Sequence, residues 1–193
     1  MLQGARHAHM RALNSAADEL KISLEIFELR NDRDLINANP HAIILPGGES
    51  TTMRLTGNDI SSRLLPELFR MLRRNSELPV MGTCAGAILL SDPQDDGGKI
   101  VDANVDRNAY GRQSESFQSV VNAKIISREF PGVFIRAPRF SSIGSESTPI
   151  VLHGEEIVGV RTKNRIALTF HPELSNDNSF HKWLISTALE VKS

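Results

Sequence analysis

The chain has 193 residues, 40% hydrophobic and 23% charged, with a formal net charge of -1. That length suits one compact domain around one core, here residues 1–193. The near-neutral balance supplies no general attraction to nucleic acid or to an anionic membrane, and no apolar run approaches the ~18 residues that cross a bilayer. A lone cysteine, Cys84, cannot form an internal disulfide, and nothing at the N-terminus resembles the apolar core of a signal peptide. A cytoplasmic setting is therefore expected.

Residues 8–20 place Ala8, Ala12, Leu13, Ala16, Ala17 and Leu20 at helical spacing, and residues 23–29 alternate Leu24 and Ile26 with polar neighbours, as a strand does. His7 and His9 open the helix with no carboxylate or thiol at ligand spacing, so they read as exposed residues and not as a metal pair. Ala42-Ile43-Ile44-Leu45 is a short apolar run that stops at Pro46-Gly47-Gly48, in the manner of a buried parallel strand. Residues 60–75 again carry helical spacing in Leu64, Leu65, Leu68, Phe69 and Leu72. Pro79-Val80-Met81-Gly82 is a further strand that runs directly into Thr83-Cys84-Ala85-Gly86, after which Ala87 to Leu90 continue as helix and residues 91–99 form a surface loop.

The second half is richer in strands, with candidates at residues 100–106, 119–126, 133–136, 157–161 and 166–170. Residues 179–191 close the chain as a helix with Phe180, Trp183, Leu184 and Leu189 as buried positions. The alternation of helix and strand in the first half marks βαβ units, so the expected fold is α/β, a three-layer sandwich with a mainly parallel central sheet.

Three segments carry chemistry. In Gly82-Thr83-Cys84-Ala85-Gly86 a nucleophilic residue stands two positions from a glycine on either side, the spacing of a sharp strand-to-helix turn that presents a reactive side chain. Such a turn leaves no room for flanking side chains, and the following helix N-terminus favours thiolate and developing negative charge. An inert cysteine in tight packing explains Cys84 alone equally well. In His171-Pro172-Glu173, Pro172 biases His171 towards extended geometry, in which residues two apart project to one side, so imidazole and carboxylate can pair. An imidazole so oriented can take a proton from a thiol and return it to a leaving amine, although a polar loop also accounts for the tripeptide alone. In Pro46-Gly47-Gly48-Glu49-Ser50-Thr51 a peptide N–H can face an oxyanion, or the glycines can serve a plain turn. All three follow strand candidates, and sites in open α/β sheets gather at the carboxyl ends of strands, which favours catalysis.

Five segments together carry a resemblance: residues 45–53, the Cys84 pentapeptide, Arg107-Asn108-Ala109-Tyr110-Gly111-Arg112-Gln113, Phe134-Ile135-Arg136-Ala137-Pro138 and Phe170-His171-Pro172-Glu173-Leu174. The chain resembles the PdxT/SNO family of class I glutamine amidotransferases, the glutaminase subunits of pyridoxal 5′-phosphate synthase, from Leu2-Gln3-Gly4 to the final helix. The resemblance implies a flavodoxin-like amidotransferase fold and a catalytic triad of Cys84, His171 and Glu173. It also implies an oxyanion site from Gly48 and the Ala85 backbone, and glutamine contacts by Gly47, Gly48, Glu49, Ser50, Arg107, Ile135 and Arg136. It implies L-glutamine as substrate, no cofactor, no metal, and ammonia passed to a synthase subunit in a large hetero-oligomer. The resemblance also implies an apolar strand ahead of the Leu-Gln-Gly segment, whereas this sequence starts at Met1; either its start is placed too late or the sheet is expected to manage without that strand. Ala109-Tyr110 and Gln118 also depart from the family pattern, near the expected partner-facing region. An impaired binding or regulatory module of the same fold is opposed by the complete triad, and a glutaminase serving another synthase by the Arg107 and Phe134 segments.

Overall fold

The structure, a computed structural model, describes residues 5–106 and 116–192. Helix α1 (Arg6–Leu20) is followed by residues 22–30, which form neither helix nor strand, and by α2 (Asp32–Ala38). Then come β1 (Ile43–Leu45), α3 (Ser50–Asn58), α4 (Leu64–Arg74), β2 (Val80–Thr83) and α5 (Ala85–Ser91). The second half runs β3 (Ala103–Asp106), β4 (Phe117–Ala123), β5 (Arg128–Phe134), β6 (Arg139–Ile143), β7 (Thr148–His153), β8 (Glu156–Thr162), β9 (Arg165–Leu168) and α6 (Ser179–Lys192).

Among the described residues the main sheet has seven strands, in the order β1-β2-β9-β8-β7-β4-β5. It is mixed: β1, β2 and β9 are parallel neighbours, and from β9 to β5 every ladder is antiparallel. Strands β3 and β6 pair apart from it. The parallel strands β2 and β9 are buried throughout, which is why their sequences read as continuous apolar runs. Their alternating side chains divide between two faces. Ile43, Leu45, Val80 and Ala167 join Leu35, Met53 and the buried side of α4 and α5. Met81, Ile166 and Leu168 join Phe130, Phe134, Phe170 and, from α6, Phe180 and Leu184. Helix α1 packs on α6 through Ala16, Ala17 and Ile185. Helices therefore cover both faces of the sheet, as the α/β reading expects.

The strand expected at residues 23–29 does not form. A strand exists through its ladder partners, and β1 is the edge of the sheet. Residues 22–29 and β1 instead line a shared cavity of about 640 Å³, leaving Leu24 and Phe27 36% and 51% exposed. Leu189, expected to be buried, is 50% exposed on α6. Helix α2 has no counterpart among the sequence expectations; it is closed by reciprocal bonds in which the Asn31 side chain accepts from the Asp34 N–H at 3.0 Å and the Asp34 carboxylate accepts from the Asn31 N–H at 3.2 Å.

Candidate active site

The register of the parallel strands brings three loops together. Leu45 stands opposite Gly82 and Thr83 opposite Leu168, so the segments that follow β1, β2 and β9 leave the sheet side by side at its carboxyl end. These segments contain Gly47, Cys84 and His171.

Cys84 joins β2 to α5 with φ 49° and ψ -106°, a conformation that a residue with a Cβ adopts only when its surroundings over-determine it. The surroundings do so. A Cβ on Gly82 would come within 2.6 Å of Leu90 and 2.8 Å of the Gly86 backbone, and one on Gly86 within 1.9 Å of the Leu45 carbonyl oxygen. The Cys84 N–H donates to the Leu168 carbonyl at 2.8 Å, tying the turn to β9. Cys84 is 7% exposed, and its Sγ lies 3.8 Å from the Ile135 carbonyl oxygen.

His171 follows β9 and donates its backbone N–H to the Val133 carbonyl at 2.8 Å. Its Nδ1 lies 2.8 Å from Glu173 Oε1, and both residues are buried. The expected pairing forms, but through a 3-10 turn at Pro172–Leu174 and not along an extended segment; the proline at the first position of the turn has its φ set in advance. Burial alone would lower the His171 pKa, but hydrogen bonds with Cys84 and Glu173 and their charge outweigh it and push it up to about 10. Burial acts to raise the Glu173 pKa, yet the hydrogen bond to His171 and the charges of His9 and His171 hold it below the usual carboxylate range.

Gly47 is buried beside this pair, whereas Gly48 is exposed. Neither is among the glycines with positive φ. The Glu49 carboxylate caps α3, accepting from the Thr51 N–H at 2.9 Å and the Thr52 N–H at 2.7 Å; with the Thr52 hydroxyl, these bonds lower its pKa to about 2. Ser50 is buried at the first position of that helix. Ile135 and Arg136 follow β5 and are exposed, with Arg136 at φ 46°. Arg107 lies outside the described residues, as do Gln3 and residues 109–113.

One expectation is overturned. His9 is not an exposed residue: it is 3% exposed, on the same face of α1 as Ala12 and Ala16. Its Nε2 lies 3.4 Å from Glu173 Oε2 and 3.2 Å from Thr83 Oγ1, and its Nδ1 lies 3.0 Å from His181 Nε2. His181 and Thr83 are not singled out by the sequence either. The available signal is the spacing of His9 to Ala12 and Ala16, which puts it on the apolar face.

A thiol held on a strained turn, an imidazole bonded to a buried carboxylate, and a backbone loop beside them form the type of site that transfers acyl groups through a cysteine, on an α/β scaffold. A model of the SNO glutamine amidotransferase family matches residues 1–190. The chain belongs to that family. A protein of Thermococcus onnurineus named pyridoxal 5′-phosphate synthase subunit PdxT is 42% identical, over 97% of this chain and 96% of that one. One of the same name from Shouchella clausii is 38% identical, over 98% and 93%. A solved structure described as a glutamine amidotransferase superposes with a TM-score of 0.76 at 34% identity, covering 92% of this chain and 93% of the other. A glutamine amidotransferase of Thermotoga maritima, at a TM-score of 0.58 and 16% identity over 93% of this chain and 77% of the other, shares the fold alone.

Proposed function

We propose that this protein hydrolyses L-glutamine to L-glutamate and ammonia and delivers the ammonia to a pyridoxal 5′-phosphate synthase subunit. The observation that carries the reading is the 2.8 Å contact between His171 and Glu173, beside a cysteine on a strained turn, in a chain that the amidotransferase family spans almost completely. Cys84 passes its thiol proton to His171 as Sγ attacks the side-chain amide carbon of glutamine, and the oxyanion of the tetrahedral adduct is met by the Gly48 and Ala85 backbone N–H groups. His171, whose raised pKa favours the ring that holds this second proton, gives it to the departing nitrogen. The C–N bond breaks, ammonia leaves, and a thioester remains on Cys84. Water, losing a proton to His171, attacks the thioester and releases glutamate, while Glu173 holds the ring in orientation and offsets its charge.

Gly47, Gly48, Glu49, Ser50, Ile135 and Arg136, with Arg107, are proposed to surround the substrate. The Glu49 cap keeps its carboxylate ionised and exposed at the mouth of the site, where it suits the α-ammonium group of glutamine. Delivery to a synthase has a chemical reason: ammonia released into neutral water is protonated and no longer nucleophilic. The assembly is proposed to be a large hetero-oligomer in the cytoplasm, with the segment around residues 107–113 facing the partner. The test is glutamine hydrolysis by the purified chain, alone and with the cognate synthase and its sugar phosphate. The reading expects activity that rises with the synthase and is lost in Cys84→Ser. Hydrolysis that survives Cys84→Ser, or none at all from a folded complex, overturns it.

A further inference from the structure

Behind Glu173, on the side away from His171, lies a buried polar chain that the proposed chemistry does not use. His9 from α1, Thr83 from β2 and His181 from α6 are 3%, 0% and 0% exposed; Thr83 and His181 meet at His9, which faces the carboxylate. Glu173 Oε1 is taken by His171 at 2.8 Å. Glu173 Oε2 has no hydrogen-bond partner among the described residues, and His9 Nε2 lies 3.4 Å from it. His9 Nδ1 and His181 Nε2 are 3.0 Å apart, and His181 Nδ1 has no partner among the described residues.

Only one proton arrangement satisfies these contacts well. If His9 carried its proton on Nδ1, Nε2 could accept from the Thr83 hydroxyl, but its lone pair would also face a buried carboxylate oxygen at 3.4 Å, and the His181 Nδ1–H would be buried without an acceptor among the described residues. An orphaned buried donor costs more than the mean hydrogen bond contributes. With the proton on His9 Nε2, that N–H donates to Thr83 Oγ1 at 3.2 Å and presents its positive end to Glu173 Oε2 at 3.4 Å, His9 Nδ1 accepts from His181 Nε2–H, and the His181 Nδ1 lone pair needs no donor. Burial also lowers the pKa of both rings, that of His181 to about 3, so the chain is neutral.

We propose that His9 is a positioning residue for glutamine hydrolysis, its Nε2–H anchored on Thr83 and facing the outer oxygen of Glu173, and itself held in that tautomer by His181. Three elements thus orient the carboxylate that orients His171. The effect on the reaction rests on the proposed glutaminase function; the proton arrangement does not.

His9→Leu removes the donor, and His9→Gln puts an amide N–H at the position of Nε2. In the full chain assayed with its synthase, His9→Leu is expected to lower kcat about tenfold at unchanged KM, with His9→Gln restoring most of it. The acid limb of kcat/KM should move to higher pH in His9→Leu, because the carboxylate loses a facing N–H that favours its ionised form; the other groups facing His9 are His171, His181 and Thr83. In a Glu173→Gln background, His9→Leu should cost almost nothing further, since a residue that acts through Glu173 has nothing left to act on. A full multiplicative loss there, or a folded His9→Leu with unchanged kcat and pH profile, overturns the proposal. Imidazole ¹⁵N spectra of the wild-type chain decide the proton arrangement without any activity. His9 neutral and protonated on Nε2 is expected, and a charged ring or the Nδ1–H form contradicts the chain. A wild type that does not hydrolyse glutamine refutes the functional reading, and the spectra still judge the proton arrangement.

Discussion

Gly47 lies so close to His171 that a Cβ at this position would stand 2.3 Å from the imidazole Cε1 and 3.0 Å from Nδ1. The loop after β1 and the loop after β9 are therefore in contact through the absence of a side chain. Gly47→Ala must swing the ring away from Glu173 and from Cys84, whose Cβ is 3.4 Å from the same point. A displacement near 1 Å of a reacting group costs about 100-fold in rate. Gly47→Ala should accordingly lose about that much kcat while its urea midpoint changes little.

Gly86 is a different case, because what a Cβ would meet is backbone, the Leu45 carbonyl oxygen at 1.9 Å. Neither β1 nor α5 can yield without moving the sheet. Gly86→Ala should destabilise the fold by about 1–3 kcal/mol, the usual range for overpacking a close-packed interior. Equilibrium unfolding in urea gives the value, and a midpoint equal to that of the wild type would mean that α5 stands further from β1 than described.

The roles proposed for the imidazole and the carboxylate differ, so their loss should differ too. His171→Asn removes the proton carrier and should leave almost no turnover. Glu173→Gln keeps a hydrogen-bond acceptor near Nδ1 and should retain more activity, since the carboxylate orients the ring and does not itself move the proton. Equal and small losses in the two variants would make the segment structural.

The raised pKa of His171 has a consequence for stability. The folded value is pushed up to about 10 from an ordinary 6.5, so the native state binds this proton more tightly than the unfolded chain. That contribution is complete below pH 6.5 and is lost as pH rises towards 10. For Glu173, whose pKa is lowered from 4.5, the contribution is present above that value and is lost as pH falls through the folded pKa. The stability difference between wild type and His171→Asn, measured in urea, should shrink between neutral pH and pH 10. A difference independent of pH would contradict the ion pair.

Much of the site was legible because its chemistry is local. Cys84 and its two glycines, His171 with Glu173, and Gly47 each lie in a segment of a few residues after an apolar run, and strand ends are where such segments meet. What escaped was set by distant parts of the chain. Residues 23–29 alternate as a strand does, yet strand formation depends on a ladder partner that the segment itself cannot reveal. His9 could be placed on the apolar face of α1, but its burial depends on α6 and on the turn at Glu173, more than 160 residues away in sequence. The antiparallel order from β9 to β5 and the exposure of Leu189 likewise follow from long-range pairing and packing.

The role of the thiol can be tested directly by treating the active preparation with a diazo-ketone analogue of glutamine and mapping the product by peptide mass spectrometry. One adduct on the peptide that contains Cys84, suppressed by excess glutamine and accompanied by loss of hydrolysis in proportion to labelling, is the expected result. An unmodified Cys84 in a preparation that the analogue has fully inactivated would contradict a thioester route through this residue.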